Sequence, residues 1–174
     1  MITTVTLNPA IDKMITVEKM NIGGVNIVES IQIDPGGKGV NVSRVIQRLR
    51  GTTVALGFVG GGMGRCIMHC LKKERVTTDF VEVEGETRVN LSVMERSKKA
   101  VTSFREMGHR VREIELEILK DKLKGWLAKS KIVVLSGSVP PGIHQSIYKE
   151  LIFFIKSGGV KVFLDTHGQP LKEG

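Results

Sequence analysis

The glycine-rich run Gly36-Gly37-Lys38-Gly39 is the segment of this sequence best suited to bind an anion. It stands between a partly alternating segment and apolar residues at helical spacing, so it predicts the turn that opens a helix. Such a turn presents backbone N–H groups and the positive end of the helix dipole. The run matches neither the Walker A pattern nor G-x-G-x-x-G. Two alternatives therefore stay open, an anion-binding loop and a tight turn without a ligand.

Three further polar side chains are of types that bind sugars or phosphates. Asp12 follows the first predicted strand and Pro9, where a carboxylate can accept hydrogen bonds from sugar hydroxyls. Asn41 lies one turn into the predicted helix and shares a helix face with Lys38. Arg88, in the segment GETRVN, could clamp a phosphate through two parallel hydrogen bonds. Taken singly, these residues are equally consistent with a solvated turn aspartate, a surface amide and a surface arginine.

The segment GSVPPG, residues 137–142, directly follows an apolar strand. A Gly-Ser break stiffened by Pro140 and Pro141 predicts a fixed loop at the carboxyl end of that strand. Open α/β sheets bind ligands at this end, which makes Ser138 a candidate for the site. The alternative is an ordinary turn between a strand and a helix.

The elements that must position these residues alternate between apolar strands and amphipathic helices. Strands are predicted in MITTVTLN, TTVALGFVG, TTDFVEVEG, KIVVLSGSV and VKVFLDT, and helices begin near residues 38, 64, 113 and 144. This order is typical of an α/β fold in which buried parallel strands lie between helices. Gly51 stands where a C′ glycine would end the first helix. The helix of residues 113–130 is expected to face the core with Ile114, Ile118, Trp126 and Leu127.

Two groups of strands, within about residues 14–33 and 87–105, interrupt this alternation and are half polar. The second group consists of two strands joined by a polar turn at Ser97 and Lys98. We interpret both groups as a small accessory sheet that stands beside the main layer. The 174 residues are thus expected to form one domain with an excursion.

Composition and charge restrict the classes of function. Hydrophobic residues make up 41% of the chain, enough for a sizeable core, and no apolar run approaches the roughly 18 residues of a membrane span. The N-terminal segment predicts a strand and not a signal peptide, so a cytoplasmic location is expected. The net charge of +8 is spread along the chain with few aromatic residues, which argues against nucleic-acid binding. Cys66 and Cys70 have no standard zinc spacing, so they are expected to pack under a helix.

Several segments together closely resemble the ribokinase-like carbohydrate kinases, in the phosphofructokinase-B family of the 1-phosphofructokinase and tagatose-6-phosphate kinase type. They are TLNPAIDK, PGGKGVNVSRVIQRL, GFVGGGMG, GETRVNLSV, LSGSVPPG and LDTHG, and their order and spacing match along essentially the whole chain. The resemblance implies a central, mainly parallel sheet with helices on both faces and a β-sheet lid, to which the two extra strand groups would correspond. The lid would close over the sugar, exclude water and form a homodimer contact.

The activity implied by the resemblance is phosphorylation of a ketohexose phosphate by ATP with Mg²⁺, with fructose 1-phosphate converted to fructose 1,6-bisphosphate as the leading reaction. The expected partners are the sugar phosphate and ATP, without nucleic acid, membrane or a metal ligand from this chain. By the resemblance, Asp12 would bind sugar hydroxyls, Asn41 would hydrogen-bond the sugar, and Gly36 and Gly37 would let the backbone approach it. The residues implied near the phosphate that the substrate already carries are Lys38, Arg88, Asn90 and Ser138. The glycine-rich loop would therefore serve the acceptor sugar phosphate and not ATP.

This chain departs from the family pattern at two places in the accessory strands. It has Val25-Asn26-Ile27 where the family usually has Val-Asn-Arg, and EMGHR, residues 106–110, where a Pro-Gly-Pro turn is usual. One arginine is thereby lost. A replacement of its charge by His109 or Arg110 is a hypothesis that the structure can examine.

The family's GAGD motif, whose aspartate takes the proton from the attacking hydroxyl, does not occur in these residues. The segment THGQPLKEG ends the chain just past a predicted strand. We therefore expect the N-terminal, sugar-phosphate-binding part of a longer kinase, inactive alone, and assign no catalytic base to it. The alternative is a non-catalytic remnant that only binds a sugar phosphate.

Overall fold

A computed structural model describes all residues from Met1 to Gly174. Its strands are β1 (Ile2–Thr6), β2 (Ala10–Val17), β3 (Ser30–Gly36), β4 (Thr53–Val59), β5 (Thr77–Thr78), β6 (Val81–Glu82), β7 (Val89–Glu95), β8 (Ala100–Arg105), β9 (Ile132–Ser136) and β10 (Lys161–Asp165). Its helices are α1 (Lys38–Arg48), α2 (Gly61–Lys73), α3 (Glu113–Leu127), α4 (Ile147–Ser157) and α5 (Gln169–Glu173). No helix is long and apolar enough to cross a membrane.

The main sheet has six strands, all parallel, in the order β10-β9-β1-β4-β5, and β6 also pairs with β4. From β1 the chain first forms β4 on one side of that strand and only later forms β9 on the other side. The order therefore reverses at β1. Ligands of open parallel sheets bind outside the carboxyl ends of the strands at such a switch point.

Both faces of the main sheet carry a hydrophobic core, as the alternating side chains of β4 demonstrate. Val54, Leu56 and Phe58 belong to a cluster of 17 buried residues that includes side chains of α3 and α4. Ala55 and Val59 belong to a cluster of eight that includes side chains of α1 and α2. Because successive residues of a strand point to opposite faces, helices cover both sides. The α/β fold predicted from the sequence is confirmed.

The second sheet is small and mixed, with the strand order β3-β2-β7-β8. β2 pairs with β3 antiparallel and with β7 parallel, and β7 pairs with β8 antiparallel. The predicted range 14–33 was too short for its first two strands, because β2 begins at Ala10 and β3 ends at Gly36. The register places Asp34, Asp12, Asn90 and Arg105 in one row across the four strands. The face of the small sheet that carries this row borders the candidate site described below.

The prediction for the buried face of α3 was partly wrong. Ile114 and Ile118 are 61% and 42% exposed, whereas Leu119 and Leu123 are completely buried. Trp126 and Leu127 do pack against the larger core cluster. The apolar positions of this helix fit two overlapping faces, and contact with the sheet selects the face one residue further on.

The end of α1 also differs from the prediction. The left-handed residue is Arg50, with φ 61°, and not Gly51. The N–H of Arg50 donates to the carbonyl of Gln47 at 2.9 Å, and the N–H of Gly51 donates to Ile46 at 2.8 Å. This pair of bonds is a Schellman motif in which Gly51 occupies the C″ position, so the motif begins one residue earlier than predicted.

The two cysteines are free thiols in the middle of α2, and both are half-buried. Cys66 packs against the eight-residue core cluster together with Met68 and Val89. Burial raises the pKa of the Cys70 thiol, and the neighbouring Cys66 raises it further. The neutral form of the Cys70 thiol is therefore favoured.

Candidate functional site

A cleft of about 460 Å³ lies outside the carboxyl ends of β1, β9 and β10, where the small sheet meets the main sheet. It has no hydrophobic lining residue. The residues that line it are Asn8, Asp12, Gly37, Lys38, Asn41, Arg88, Asn90, Arg105, Gly137, Ser138 and His167. Of the predicted site residues only Gly36 is missing from this lining. Segments that are far apart in the sequence thus converge on one polar cleft at the switch point.

The two glycines of the loop before α1 serve different purposes. Gly37 lines the cleft with φ 110°, a conformation that L side chains rarely adopt, so the turn into the helix requires glycine. Gly36 lies behind Asp12, and a Cβ atom built on it would stand 2.4 Å from Asp12 Oδ2. Gly36 therefore leaves room for the carboxylate that faces the cleft.

Lys38 opens α1 and reaches across the cleft to the end of β10. Its Nζ donates to Asp165 Oδ1 at 2.8 Å, and Ser136 Oγ donates to the other carboxylate oxygen at 3.0 Å. The bond from Lys38 is the main reason that the pKa of Asp165 is lowered; partial burial opposes it, and the Ser136 bond adds to it. Lys38 thus lines the cleft, and its charge is paired with Asp165.

Among Lys38, Arg88 and Arg105, the lysine and arginines of the cleft, only Arg88 has no ion pair with a carboxylate. Its Nη2 donates to the backbone carbonyl of Asn8 at 2.9 Å, and its Nη1 donates to that of Glu106 at 3.0 Å. Its Nε is buried and has no partner, and no carboxylate forms an ion pair with the guanidinium. Burial lowers the pKa of Arg88, with Asp12 opposing this effect and Arg105 adding to it. A half-buried guanidinium held by neutral carbonyls keeps its attraction for an anion.

The segment before Arg88 is fixed to the start of α2. The Glu86 carboxylate accepts a hydrogen bond from the N–H of Met63 at 2.5 Å, and bonds from Met63 and Gly62 lower the pKa of Glu86. Thr87 Oγ1 accepts the N–H of Gly60 at 2.9 Å, and the N–H of Thr87 donates to Gly60 O at 3.0 Å. These bonds attach the segment that carries Arg88, just before β7, to the end of β4 and the start of α2.

The row of polar residues on the small sheet forms the opposite wall of the cleft. Asn90 Nδ2 donates to Asp12 Oδ1 at 2.8 Å, and Arg105 Nη1 lies 3.7 Å from the same oxygen. The second carboxylate oxygen of Asp12 has no hydrogen bond within the protein, and Asn90 Oδ1 is buried without a partner. Both oxygens are acceptors, so this wall suits a ligand that brings hydroxyl donors.

The sequence matches the pfkB family of carbohydrate kinases over residues 5–174. The chain belongs to this family. It is 35% identical to the 1-phosphofructokinase of Borreliella burgdorferi, over 99% of this chain and 55% of that protein. It is 32% identical to the tagatose-6-phosphate kinase of Staphylococcus epidermidis, again over 99% of this chain and 55% of that protein.

Solved structures of the pfkB family agree with this assignment. The possible 1-phosphofructokinase of Thermotoga maritima is 37% identical with a TM-score of 0.90, over 99% of this chain and 55% of that one. Phosphofructokinase-2 from Escherichia coli, solved in complex with fructose-6-phosphate, is 28% identical with a TM-score of 0.90, over 99% of this chain and 56% of that one. The chain therefore spans about half the length of the relatives that it matches.

Sequence reasoning did not name four residues that line the cleft of this pfkB chain, which are Asn8, Arg105, Gly137 and His167. Asn8 and His167 each lie two residues past the end of a parallel strand, β1 and β10, so their positions were an available signal. Arg105 could be found only from the strand register that aligns it with Asn90. It adds a cation on the side of the cleft formed by the small sheet.

The hypothesis that His109 or Arg110 replaces a lost charge does not agree with the structure. Neither residue lines the cleft. His109 packs against Gly85, where a Cβ atom would lie 3.2 Å from His109 Cβ, and both of its ring nitrogens are buried without partners. Burial lowers the pKa of His109, which favours the neutral ring and removes it as a source of charge.

A larger hollow of about 730 Å³ lies at the opposite edge of the main sheet, between the ends of α1 and α2. Arg48, Arg50 and Arg75 line it together with Glu74, and none of the predicted site residues does. The amino ends of the strands lie at this edge, whereas ligands of open parallel sheets bind at the carboxyl ends. We therefore assign the chemistry to the smaller cleft.

We expect the Lys38–Asp165 ion pair to make stability depend on pH at the acidic end. The folded-state pKa of Asp165 is lowered, so its contribution is fully present above the ordinary aspartate pKa of about 3.9. That contribution is lost as the pH falls through the lower folded-state pKa. Asp165→Asn should therefore unfold at a lower temperature than the wild type near neutral pH, by a margin that shrinks below about pH 4.

Thermal unfolding of both proteins along a pH series measures this margin. Because both side chains are about half exposed, added salt should reduce it as well. A margin that stays constant down to the acid limit would contradict the role given to the ion pair.

Proposed function

We propose that this chain is the sugar-phosphate-binding part of a kinase that transfers a phosphoryl group from ATP to a ketohexose phosphate. The leading reaction is the conversion of fructose 1-phosphate to fructose 1,6-bisphosphate. The observation that carries the proposal is Arg88, a half-buried guanidinium that bonds only to neutral carbonyls at the edge of a cleft. The names of the relatives, 1-phosphofructokinase and tagatose-6-phosphate kinase, support the same class of substrate.

The two walls of the cleft would bind different parts of the substrate, the phosphate on one side and the sugar hydroxyls on the other. Arg88, with Ser138 and Lys38, would bind the phosphate that the sugar already carries, because charge-assisted hydrogen bonds are the strongest available to a phosphate. The free acceptor oxygens of Asp12 and Asn90 would accept the sugar hydroxyls. Arg105 would add positive charge between the two groups. A free sugar satisfies only one wall, so the cleft would select a sugar phosphate.

Asn41 and the loop glycines complete the proposed contact with the sugar. Asn41 lines the cleft from α1, although its Oδ1 also accepts a hydrogen bond from Arg44 at 3.3 Å. Its Nδ2 remains available to donate to a sugar oxygen. Gly37 would let the ring approach the backbone, and Gly36 would keep the Asp12 carboxylate in place.

ATP with Mg²⁺ would supply the phosphoryl group and neutralise the charge that develops during its transfer. These residues contain no group of three or more His, Cys, Asp or Glu side chains that could hold a metal ion. The donor set of the cleft is cationic and suits the acceptor substrate rather than Mg²⁺. We therefore derive no step through the metal from this chain and assign no catalytic base within it.

The small sheet would act as a lid that closes over the sugar and excludes water. The face of this sheet opposite the polar row exposes Ile31, Ile33 and Phe104, each between 51% and 58% accessible. We propose that a second copy of this chain covers that face in a cytoplasmic homodimer. Phosphofructokinase-2 from Escherichia coli has a tetrameric inhibited form, which supports association within the family. Sedimentation that finds only monomers at tens of micromolar chain would refute the dimer.

Thermal unfolding of the chain with fructose 1-phosphate tests the proposed substrate class. We expect millimolar fructose 1-phosphate to raise the midpoint of unfolding, because a ligand that binds only the folded state stabilises it. Free fructose is the control for the phosphate, and fructose 6-phosphate and tagatose 6-phosphate are the competing substrates. A midpoint that fructose raises equally would contradict selection of a sugar phosphate.

A coupled assay for ADP release separates the kinase from a binding remnant. The 174-residue chain should bind the sugar phosphate without turnover, while the same cleft in a longer natural chain should support turnover. Turnover by the 174 residues alone would contradict our expectation that the catalytic base lies outside them. Binding without turnover in every longer chain would favour the remnant.

A further inference from the structure

The carbonyl of Gly137 is held by two buried hydroxyls from different elements. Tyr148 Oη, in α4, donates to Gly137 O at 3.0 Å. Thr166 Oγ1, directly after β10, donates to the same oxygen at 2.8 Å. The N–H of Gly137 donates to the carbonyl of Asp165 at 3.0 Å. Both the N–H and the carbonyl of Gly137 are therefore hydrogen-bonded within the protein, although the residue itself lines the cleft.

This arrangement determines where the next amide points. The peptide between Gly137 and Ser138 is trans, and in a trans peptide the carbonyl and the N–H point in opposite directions. With the carbonyl turned to Tyr148 and Thr166, the N–H of Ser138 points away from those two hydroxyls, and both residues of this peptide line the cleft. That N–H donates to no group in the protein. It is a preoriented donor that a ligand can use.

The hydroxyl of Tyr148 is not needed to fill space in the core. Tyr148 is completely buried in the larger core cluster, where a phenylalanine ring would pack in the same way. Its hydroxyl is held neutral, because burial raises the pKa of Tyr148. One hydrogen-bond donor is enough to satisfy a buried carbonyl oxygen. The second donor therefore fixes the orientation of the peptide and is not needed to offset the loss of solvation.

We propose that Tyr148 and Thr166 are positioning residues that aim the backbone N–H of Ser138 at the phosphate of the bound sugar. They do not touch the ligand. They set the plane of one peptide, so that a backbone donor joins Arg88 on the same anion. This inference rests on the proposed function for the identity of the ligand, but the orientation of the peptide does not depend on it.

The test uses Tyr148→Phe, Thr166→Val and the double variant, each of which removes a hydroxyl and keeps the shape of the side chain. We expect each single variant to weaken the binding of fructose 1-phosphate by about three- to tenfold, as the loss of one oriented hydrogen bond would. The double variant should bind more weakly than either single variant. Titration calorimetry on the 174-residue chain gives the dissociation constants.

Thr3→Val is the control for a purely structural effect. Thr3 is also completely buried, and its Oγ1 lies 2.6 Å from Ser130 Oγ near the opposite edge of the sheet. This variant should lose stability to a similar extent and keep the wild-type affinity. If Tyr148→Phe and Thr166→Val likewise lose only stability, the positioning role is overturned.

A readout without ligand separates this inference from the proposed function. The amide resonance of Ser138 should shift and broaden in the double variant, because the released peptide can rotate, and should stay unchanged in Thr3→Val. An identical Ser138 resonance in the double variant would overturn the positioning role even if the sugar phosphate binds. A wild-type chain that binds no sugar phosphate would overturn the proposed function, while the resonance still decides the orientation of the peptide.

Discussion

Arg88→Ala is expected to remove measurable binding of fructose 1-phosphate and to leave the chain folded. The guanidinium is partly buried, and it donates to two backbone carbonyls while its Nε has no partner. A phosphate bound there would lose its main cation, since Lys38 is already paired with Asp165. Truncating one partner of such a charge pair costs about 2 to 5 kcal/mol of binding free energy, or roughly 30-fold to several thousand-fold in Kd.

Two further variants make the result for Arg88 specific. Arg88→Lys keeps the charge but not the planar fork, so it should recover only part of the affinity. Arg96→Ala removes an exposed arginine that pairs with Glu29 at 2.6 Å and does not line the cleft, and it should bind like the wild type. An Arg88→Ala chain whose Kd stays within about threefold of the wild-type value would remove the central support of the proposed function.

The cleft could be predicted from the sequence to the extent that its residues follow strands. Asp12, the glycine loop and Ser138 all stand close to predicted strand ends. Ser138 follows β9 of the parallel main sheet, and the carboxyl end of such a strand is where a ligand site is expected. Asp12 lies inside β2 and the glycine loop follows β3, so their approach to Ser138 depends on how the small sheet packs beside the main sheet. The family resemblance contributed Asn90, whose type and position alone gave no signal.

The sequence did not predict the pairing between residues of the cleft. The bond from Lys38 to Asp165 joins residues 127 positions apart, and its formation depends on β10 lying beside β9. Arg105 enters the site because β8 pairs with β7 in one particular register, and a shift by one residue would turn it to the other face. Such long-range geometry is not encoded in local spacing.

The buried faces of the helices were uncertain for a related reason. In α1 the residues at helical spacing include Val45 and Leu49, which are exposed, whereas the small residues Gly39 and Ser43 are buried against the sheet. Ser43 Oγ is close to the hydroxyls of Thr4 and Thr53, at 2.8 and 2.9 Å. Val40 is completely buried as well. The buried face of α1 therefore combines two small residues with one valine, and it is not the face that carries Val45 and Leu49.

Gly57 lies in the middle of β4, where the sequence predicts an ordinary buried strand. Its φ of 149° is rare for residues with a side chain. It pairs with Thr6, the last residue of β1, and a Cβ atom built on it would stand 1.9 Å from the Thr6 carbonyl oxygen. That oxygen belongs to the backbone and cannot move away as a flexible side chain would. Gly57 thus permits β1 and β4 to approach each other just before Asn8 enters the cleft.

Gly57→Ala is therefore expected to have the largest effect on stability of any single methyl addition considered. Strained backbone and overpacking each cost about 1 to 3 kcal/mol, and together they approach the whole stability of a small domain. Gly125→Ala in α3 is the matched control, because no atom lies within 4 Å of its added Cβ and alanine favours a helix. Urea unfolding should show a much lower midpoint, or no folded baseline, for Gly57→Ala and an equal or higher midpoint for Gly125→Ala. Equal midpoints for Gly57→Ala and the wild type would mean that β1 and β4 can move apart without loss of stability. The close pairing of Thr6 with Gly57 would then not be what fixes the main sheet beside the cleft.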